Sequence, residues 1–137
     1  MGKGEPLRTS KDVLVHLDFI RRKKQEHLVC LSLDGGMRLI RKRTVTIGLV
    51  DQVLAHPREV FAGPITDRAT WIIVAHNHPS GLAEPSTRDI EMTHQLAAAG
   101  QLIGIPMSDH IIMTSSLYYS FRHRGLLCGQ SKYTEAV

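Results

Sequence analysis

Hydrophobic and polar positions along the chain alternate between helical and strand-like periods. Thr9 with Asp12 three residues later has the form of a capping box that starts a helix. Val13, Leu14, Leu17 and Ile20 follow at helical spacing on one face. Arg21-Arg22-Lys23-Lys24 is expected to close that helix, where cations suit the negative end of its dipole. Leu28-Val29-Cys30-Leu31-Ser32-Leu33 is nearly continuous in apolar residues, and Asp34-Gly35-Gly36 is a strong turn signal. Residues 28–47 therefore predict a hairpin whose first strand is buried on both faces.

Pro57 suits the first turn of a second helix, with Val60 and Phe61 as apolar contacts and Gly63-Pro64 disturbing the pattern. Trp71-Ile72-Ile73-Val74-Ala75 predicts a short buried strand. A polar loop, 76–85, leads into a helix near 86–100 with Ile90, Thr93, Leu96 and Ala97 as its inward stripe and Gly100 as its stop. Residues 105–113 and 117–121 read as two closing strands. Residues 1–8 read as a flexible lead and 129–137 as a frayed tail around one domain over 9–128. Hairpin and crossover connections together predict an α/β fold, a mixed sheet flanked by helices in two or three layers.

Composition narrows the function. The chain has 137 residues, one domain's worth, with 42% hydrophobic and 22% charged residues, an ordinary globular balance. Two cysteines, Cys30 and Cys128, make neither a disulfide framework nor a four-thiolate zinc site, and Cys30 reads as a small buried hydrophobe. No apolar stretch approaches the roughly 18–20 residues that span a bilayer, and the first residues lack an apolar signal core, so a cytoplasmic domain is expected. The net charge of +4 is uneven: residues 1–43 carry 11 of the 17 Lys and Arg but 5 of the 13 Asp and Glu. Any nucleic-acid reading rests on that first third. Eight histidines are many for this length.

The chemistry concentrates in His76-Asn77-His78-Pro79-Ser80-Gly81 and in Ser86 to Asp89. His76 and His78 follow a buried strand, and an extended backbone sends both rings to one side. Neutral imidazole is a favoured zinc ligand. Asp89 in the first turn of the next helix can close back on the rings, which leaves a fourth tetrahedral position for water, the pattern of a catalytic site. Ser86 with Asp89 is equally a helix-capping pattern that needs no metal. Asn77 and Ser80 read as turn residues.

The string His76-x-His78-Pro79, six residues, Ser86, two residues, Asp89 resembles the signature of the JAB1/MPN/Mov34 (JAMM) metalloenzymes, and the wording around it resembles the RadC branch, the UPF0758 family. The similar pieces are His56-Pro57-Arg58-Glu59-Val60-Phe61, Ala75 to Gly81, Gly104-Ile105-Pro106, Asp109-His110 and Tyr119-Ser120-Phe121-Arg122-x-Arg124-Gly125-Leu126. The resemblance implies a curved mixed sheet flanked by helices, akin to cytidine deaminases, and one Zn2+ held by His76, His78, Asp89 and a water. It also implies an upstream glutamate as general base. Glu26, just before the first buried strand, fits that place; Glu59, on a predicted helix, is the alternative. RadC-like proteins usually carry an N-terminal helical region for which this chain has no room, so a lone catalytic-type domain is expected.

These parts imply a zinc-dependent hydrolase, a metallopeptidase of peptide or isopeptide bonds, with Glu26 moving the proton and the Ser86 hydroxyl donating to the developing oxyanion. Asp109-His110, similar to a family feature, has two readings: partners behind the metal ligands, or surface residues at a strand end. Two other readings stay open: DNA binding through the basic residues of 21–43, as in DNA repair, and a zinc-bound interaction domain without catalysis. Arg21–Lys24 and Arg38–Arg43 have a plainer reading too, as a solvated helix end and a charge-guarded strand edge.

Overall fold

The computed structural model describes residues 4–48 and 55–127. Its elements are α1 (Ser10–Leu17), a short 3-10 turn (Asp18–Ile20), β1 (His27–Leu33), β2 (Leu39–Ile47), α2 (Pro57–Asp67), β3 (Trp71–Asn77), α3 (Thr87–Ile103), β4 (Met107–Met113) and β5 (Tyr118–Ser120). The strands form one mixed sheet in the order β2-β1-β3-β4-β5. β3 and β4 are its parallel pair and the other neighbours are antiparallel. Parallel neighbours need a crossover, and α3 supplies it.

The sheet has a core on each face, as the unbroken burial of β1 predicts. Leu28, Cys30, Ile72, Val74 and Ile112 pack with Val60, Phe61 and Leu96 of α2 and α3. Val29, Leu31, Ile73, Ala75, Ile111 and Met113 pack with Val13, Leu17 and Ile20 of α1 and its 3-10 exit. Leu7, in the N-terminal lead, joins this second core, and its amide donates to the Met37 carbonyl (2.8 Å). Burial pushes the Cys30 thiol up to about 12, in keeping with a small buried hydrophobe; Cys128 and the 129–137 tail lie outside the described residues.

Three local expectations need correction. The basic run 21–24 does not close α1, which ends at Leu17; the chain leaves through the 3-10 turn, and the cations fall in the loop before β1. Gly63-Pro64 does not break α2, which runs on to Asp67 with Pro64 buried inside it. Gly100 is not the stop of α3. The helix ends at Ile103, with Gly104 left-handed at φ 89°, and Gly100 is small because a Cβ there would lie 2.6 Å from the Ile105 carbonyl oxygen. Glycine serves close approach at one position and backbone conformation at the other.

Candidate metal centre

The site grows from the alternation of side chains at the end of β3. Ile72 and Val74 face α2 and α3, so His76 does too; Ile73 and Ala75 face α1, so Asn77 does. The His78 amide donates to the Met113 carbonyl (2.9 Å), which carries the extended backbone one residue further. The His78 ring thus joins His76, and their Nε2 atoms lie 3.1 Å apart. Gly81, left-handed at φ 93°, lets the loop turn away.

The N-terminus of α3 closes the pocket. Ser86 is the N-cap: its Oγ accepts from the Asp89 amide (3.1 Å), and the Ser86 amide donates to Asp89 Oδ2 (2.8 Å). The same carboxylate faces both rings, with Oδ1 3.1 Å from His76 Nε2 and Oδ2 3.1 Å from His78 Nε2. Glu26 enters from the loop before β1. Glu26, His76 and His78 each bring a ligand atom within 4.8 Å of the others, a cluster compatible with a zinc-binding site of the JAMM type. Glu59 is exposed on α2 beside Arg58 (3.6 Å) and belongs to no such cluster among the described residues.

Asn77 is not the turn residue expected. It is fully buried, and its side-chain amide clamps the backbone on both sides of Glu26. Nδ2 donates to the carbonyls of Lys23 (3.2 Å) and Gln25 (3.1 Å), and Oδ1 accepts from the His27 amide (2.6 Å). The residue between the two histidines therefore fixes the glutamate's loop against their strand. Strand parity was the missed signal: an odd residue between two like-facing histidines must face the opposite layer. Ser80 does act in the turn, accepting from the Leu82 amide (3.3 Å).

Partners behind the rings assign their tautomers. Thr93 Oγ1 donates its one proton to the Asp89 carbonyl (2.7 Å), so it accepts from His110 Nδ1 (2.5 Å). Neutral His110 then has a lone pair at Nε2 and accepts from His76 Nδ1 (2.9 Å). His78 Nδ1 donates to the Leu82 carbonyl (2.8 Å). Both Nε2 atoms consequently turn lone pairs toward each other and toward the Asp89 oxygens, around a point that favours one cation. Of the two readings, buried His110 takes the place behind the His76 ring, while Asp109 faces the other side and accepts from Ser120 and from the amides of His110 and Arg122. In the sequence Thr93 is one position of a core stripe; its hydroxyl at the foot of the relay has no signal in the sequence pattern.

Protonated rings would meet the same acid. Burial alone would raise the Asp89 carboxyl, but hydrogen bonds from His76 and His78 in their protonated form outweigh that and hold it far below the usual carboxylate range. Burial would lower the His78 pKa, yet Asp89 and the Leu82 carbonyl together raise it. For His110, burial and then the charge beside it at His76 push the pKa well below the ordinary histidine value, so the ring is neutral.

A mixed five-stranded sheet between helices, with a Glu/His/His cluster at the end of its middle strand, is consistent with the architecture of a JAB/MPN domain. A family model described as the RadC-like JAB domain matches residues 7–126, and the chain belongs to that family. It is 50% identical over 105 residues to a UPF0758 protein of Methanospirillum hungatei, covering 77% of this chain and 47% of that protein. A UPF0758 protein of Chlorobium chlorochromatii is 44% identical over 103 residues (75% and 46%), and one of Trichlorobacter lovleyi 44% over 108 (79% and 47%). The chain thus spans about half the length of the curated relatives it matches. No helix among the described residues is long and apolar enough to cross a membrane.

Proposed function

We propose that this chain is a zinc-dependent hydrolase of amide bonds, a metallopeptidase acting on a peptide or isopeptide link. The observation that carries the reading is the convergence of two lone-pair Nε2 atoms and the Asp89 carboxylate, with Glu26 beside them. Tetrahedral zinc with bonds of ~2.0–2.2 Å needs ligand atoms about 3.3–3.6 Å apart; the two Nε2 atoms are 3.1 Å apart, and each lies 3.1 Å from one Asp89 oxygen. His76, His78 and Asp89 would hold the ion. When bound, it supplies a Lewis acid that makes water a nucleophile near neutral pH.

The chain's own groups do the rest. Glu26 accepts the attacking water's proton and returns it to the leaving amine. Asn77 holds the Glu26 loop in place, and the Thr93–His110 pair keeps the His76 lone pair pointed inward. Ser86 Oγ accepts from the Asp89 amide, which leaves its own proton to donate to the oxyanion.

The test is metal analysis of protein purified without chelators, with turnover measured across a peptide and isopeptide library. One zinc per chain is expected, with turnover lost on chelation and restored by zinc. Metal-free protein rejects the reading; zinc-bound protein idle on every substrate replaces the hydrolase with an interaction domain.

A further inference from the structure

A groove of about 400 Å³ lies along the loop before β1 and meets the metal centre at His78; its lining is Arg21, Arg22, Lys23, Lys24, His78, Pro79, Gly81 and Ser115. Four of the eight are Arg or Lys and none is acidic. A solvated helix end needs no fixed position, but this segment is pinned twice. The Arg21 guanidinium donates to the carbonyls of Thr114 (2.9 Å) and Leu117 (3.3 Å) in the β4–β5 turn. Two residues on, the carbonyls of Lys23 and Gln25 are held by the buried Asn77 amide. Two of the four cations on the other basic stretch, Arg38–Arg43, are occupied differently: Arg43 pairs with Asp67, and Lys42 lies over the Phe19 ring (4.4 Å).

We propose that Arg22, Lys23 and Lys24 form the subsite for an acidic stretch of the substrate, so that the scissile bond lies in a peptide carrying Asp or Glu on one side of it. The proposal rests on the hydrolase reading for the scissile bond, although the subsite itself does not depend on turnover. Arg22, Lys23 and Lys24 are exposed and enter no ion pair among the described residues. A fixed row of like charges, with no acid among the described residues that line the groove, raises the local concentration of an anionic ligand and orients it. Peptide fits better than nucleic acid. Among the described residues no Phe, Tyr or Trp lines the groove, so it lacks the broad rings on which bases usually stack, and the groove reaches a centre suited to amide chemistry at His78.

The experiment measures binding apart from hydrolysis. Fluorescein-labelled decapeptides, one with four Glu and a twin with Gln in their place, are titrated by anisotropy into the zinc-loaded full chain carrying Glu26→Gln. At low salt the Glu peptide should bind about tenfold more tightly than its twin, the sum of three modest surface pairs, and the gap should close as salt rises. Adding Arg22→Gln, Lys23→Gln and Lys24→Gln should erase the preference while zinc content, which reports an intact fold, stays at one per chain. Equal affinity for the two peptides, or a preference that survives the triple substitution, overturns the proposal. So does a single-stranded oligonucleotide of the same net charge that binds more tightly than the Glu peptide and loses that binding in the triple variant. If the preference holds while wild type cleaves no peptide, the subsite stands and the hydrolase reading falls.

Discussion

Two helices of this domain begin with the same device, and only one of them builds a site. At α1, Thr9 Oγ1 accepts from the Asp12 amide (3.2 Å), while Asp12 Oδ2 accepts from the amides of Thr9 (3.0 Å) and Arg8 (2.9 Å). At α3, Ser86 and Asp89 repeat that exchange. Asp12 is partly exposed, and those backbone amides lower its pKa. Asp89 is 8% exposed, and two imidazoles face its oxygens, His76 the free Oδ1 and His78 the Oδ2 that also serves the cap. The motif is the same in both places. The difference is what the fold sets opposite it: at α3, the end of a parallel strand whose last inward residue is His76.

The largest expected separation between the two boxes is in metal. Asp89→Ala should drop zinc to background and abolish turnover, whereas Asp12→Ala should keep one zinc per chain, checked by elemental analysis of both proteins in parallel. Zinc retained by Asp89→Ala would make the two acids equivalent caps. Next comes Glu26→Gln. It should keep zinc and lower kcat by about 10²–10⁴-fold, the usual worth of a positioned general base. Unchanged kcat would leave the site with a metal but without this base. The support behind His76 is third. Thr93→Val removes the acceptor for His110 Nδ1 at little change in volume, and zinc affinity measured by chelator competition should fall about 10–100-fold. Unchanged affinity would show that the His76 tautomer is set without the relay.

Much of this was legible in the sequence because it depends on period and spacing. The hairpin over 28–47, the strand at 71–75 and both caps follow from local pattern, and each is present. The His76, His78, Ser86, Asp89 string was legible because a strand end and the next helix start fall close together in sequence. What stayed hidden depends on layers. Asn77 reads as a turn residue until β3 is seen to continue through it, with the Glu26 loop beneath. Thr93 reads as one more inward helix position until β4 sets His110 against it. The charge run 21–24 has the composition of a helix end, and only the contacts of Arg21 and Asn77 reveal it as a fixed wall of the groove.

The smallest expected effect is also the cleanest test of the comparison. Thr9→Ala and Ser86→Ala each remove one capping hydroxyl, and each should cost about 1 kcal/mol in urea unfolding of the metal-free proteins. If capping is all that Ser86 does, the two variants should then match in turnover once zinc is restored. If its hydroxyl also donates to the oxyanion, Ser86→Ala should lose a further 10²–10³-fold in kcat, the scale for one oxyanion donor, while Thr9→Ala stays at the wild-type value. The stability change is common to both boxes, so it cancels. What remains in kcat is the part of Ser86 that belongs to chemistry, and equal kcat for the two variants would confine Ser86 to the cap.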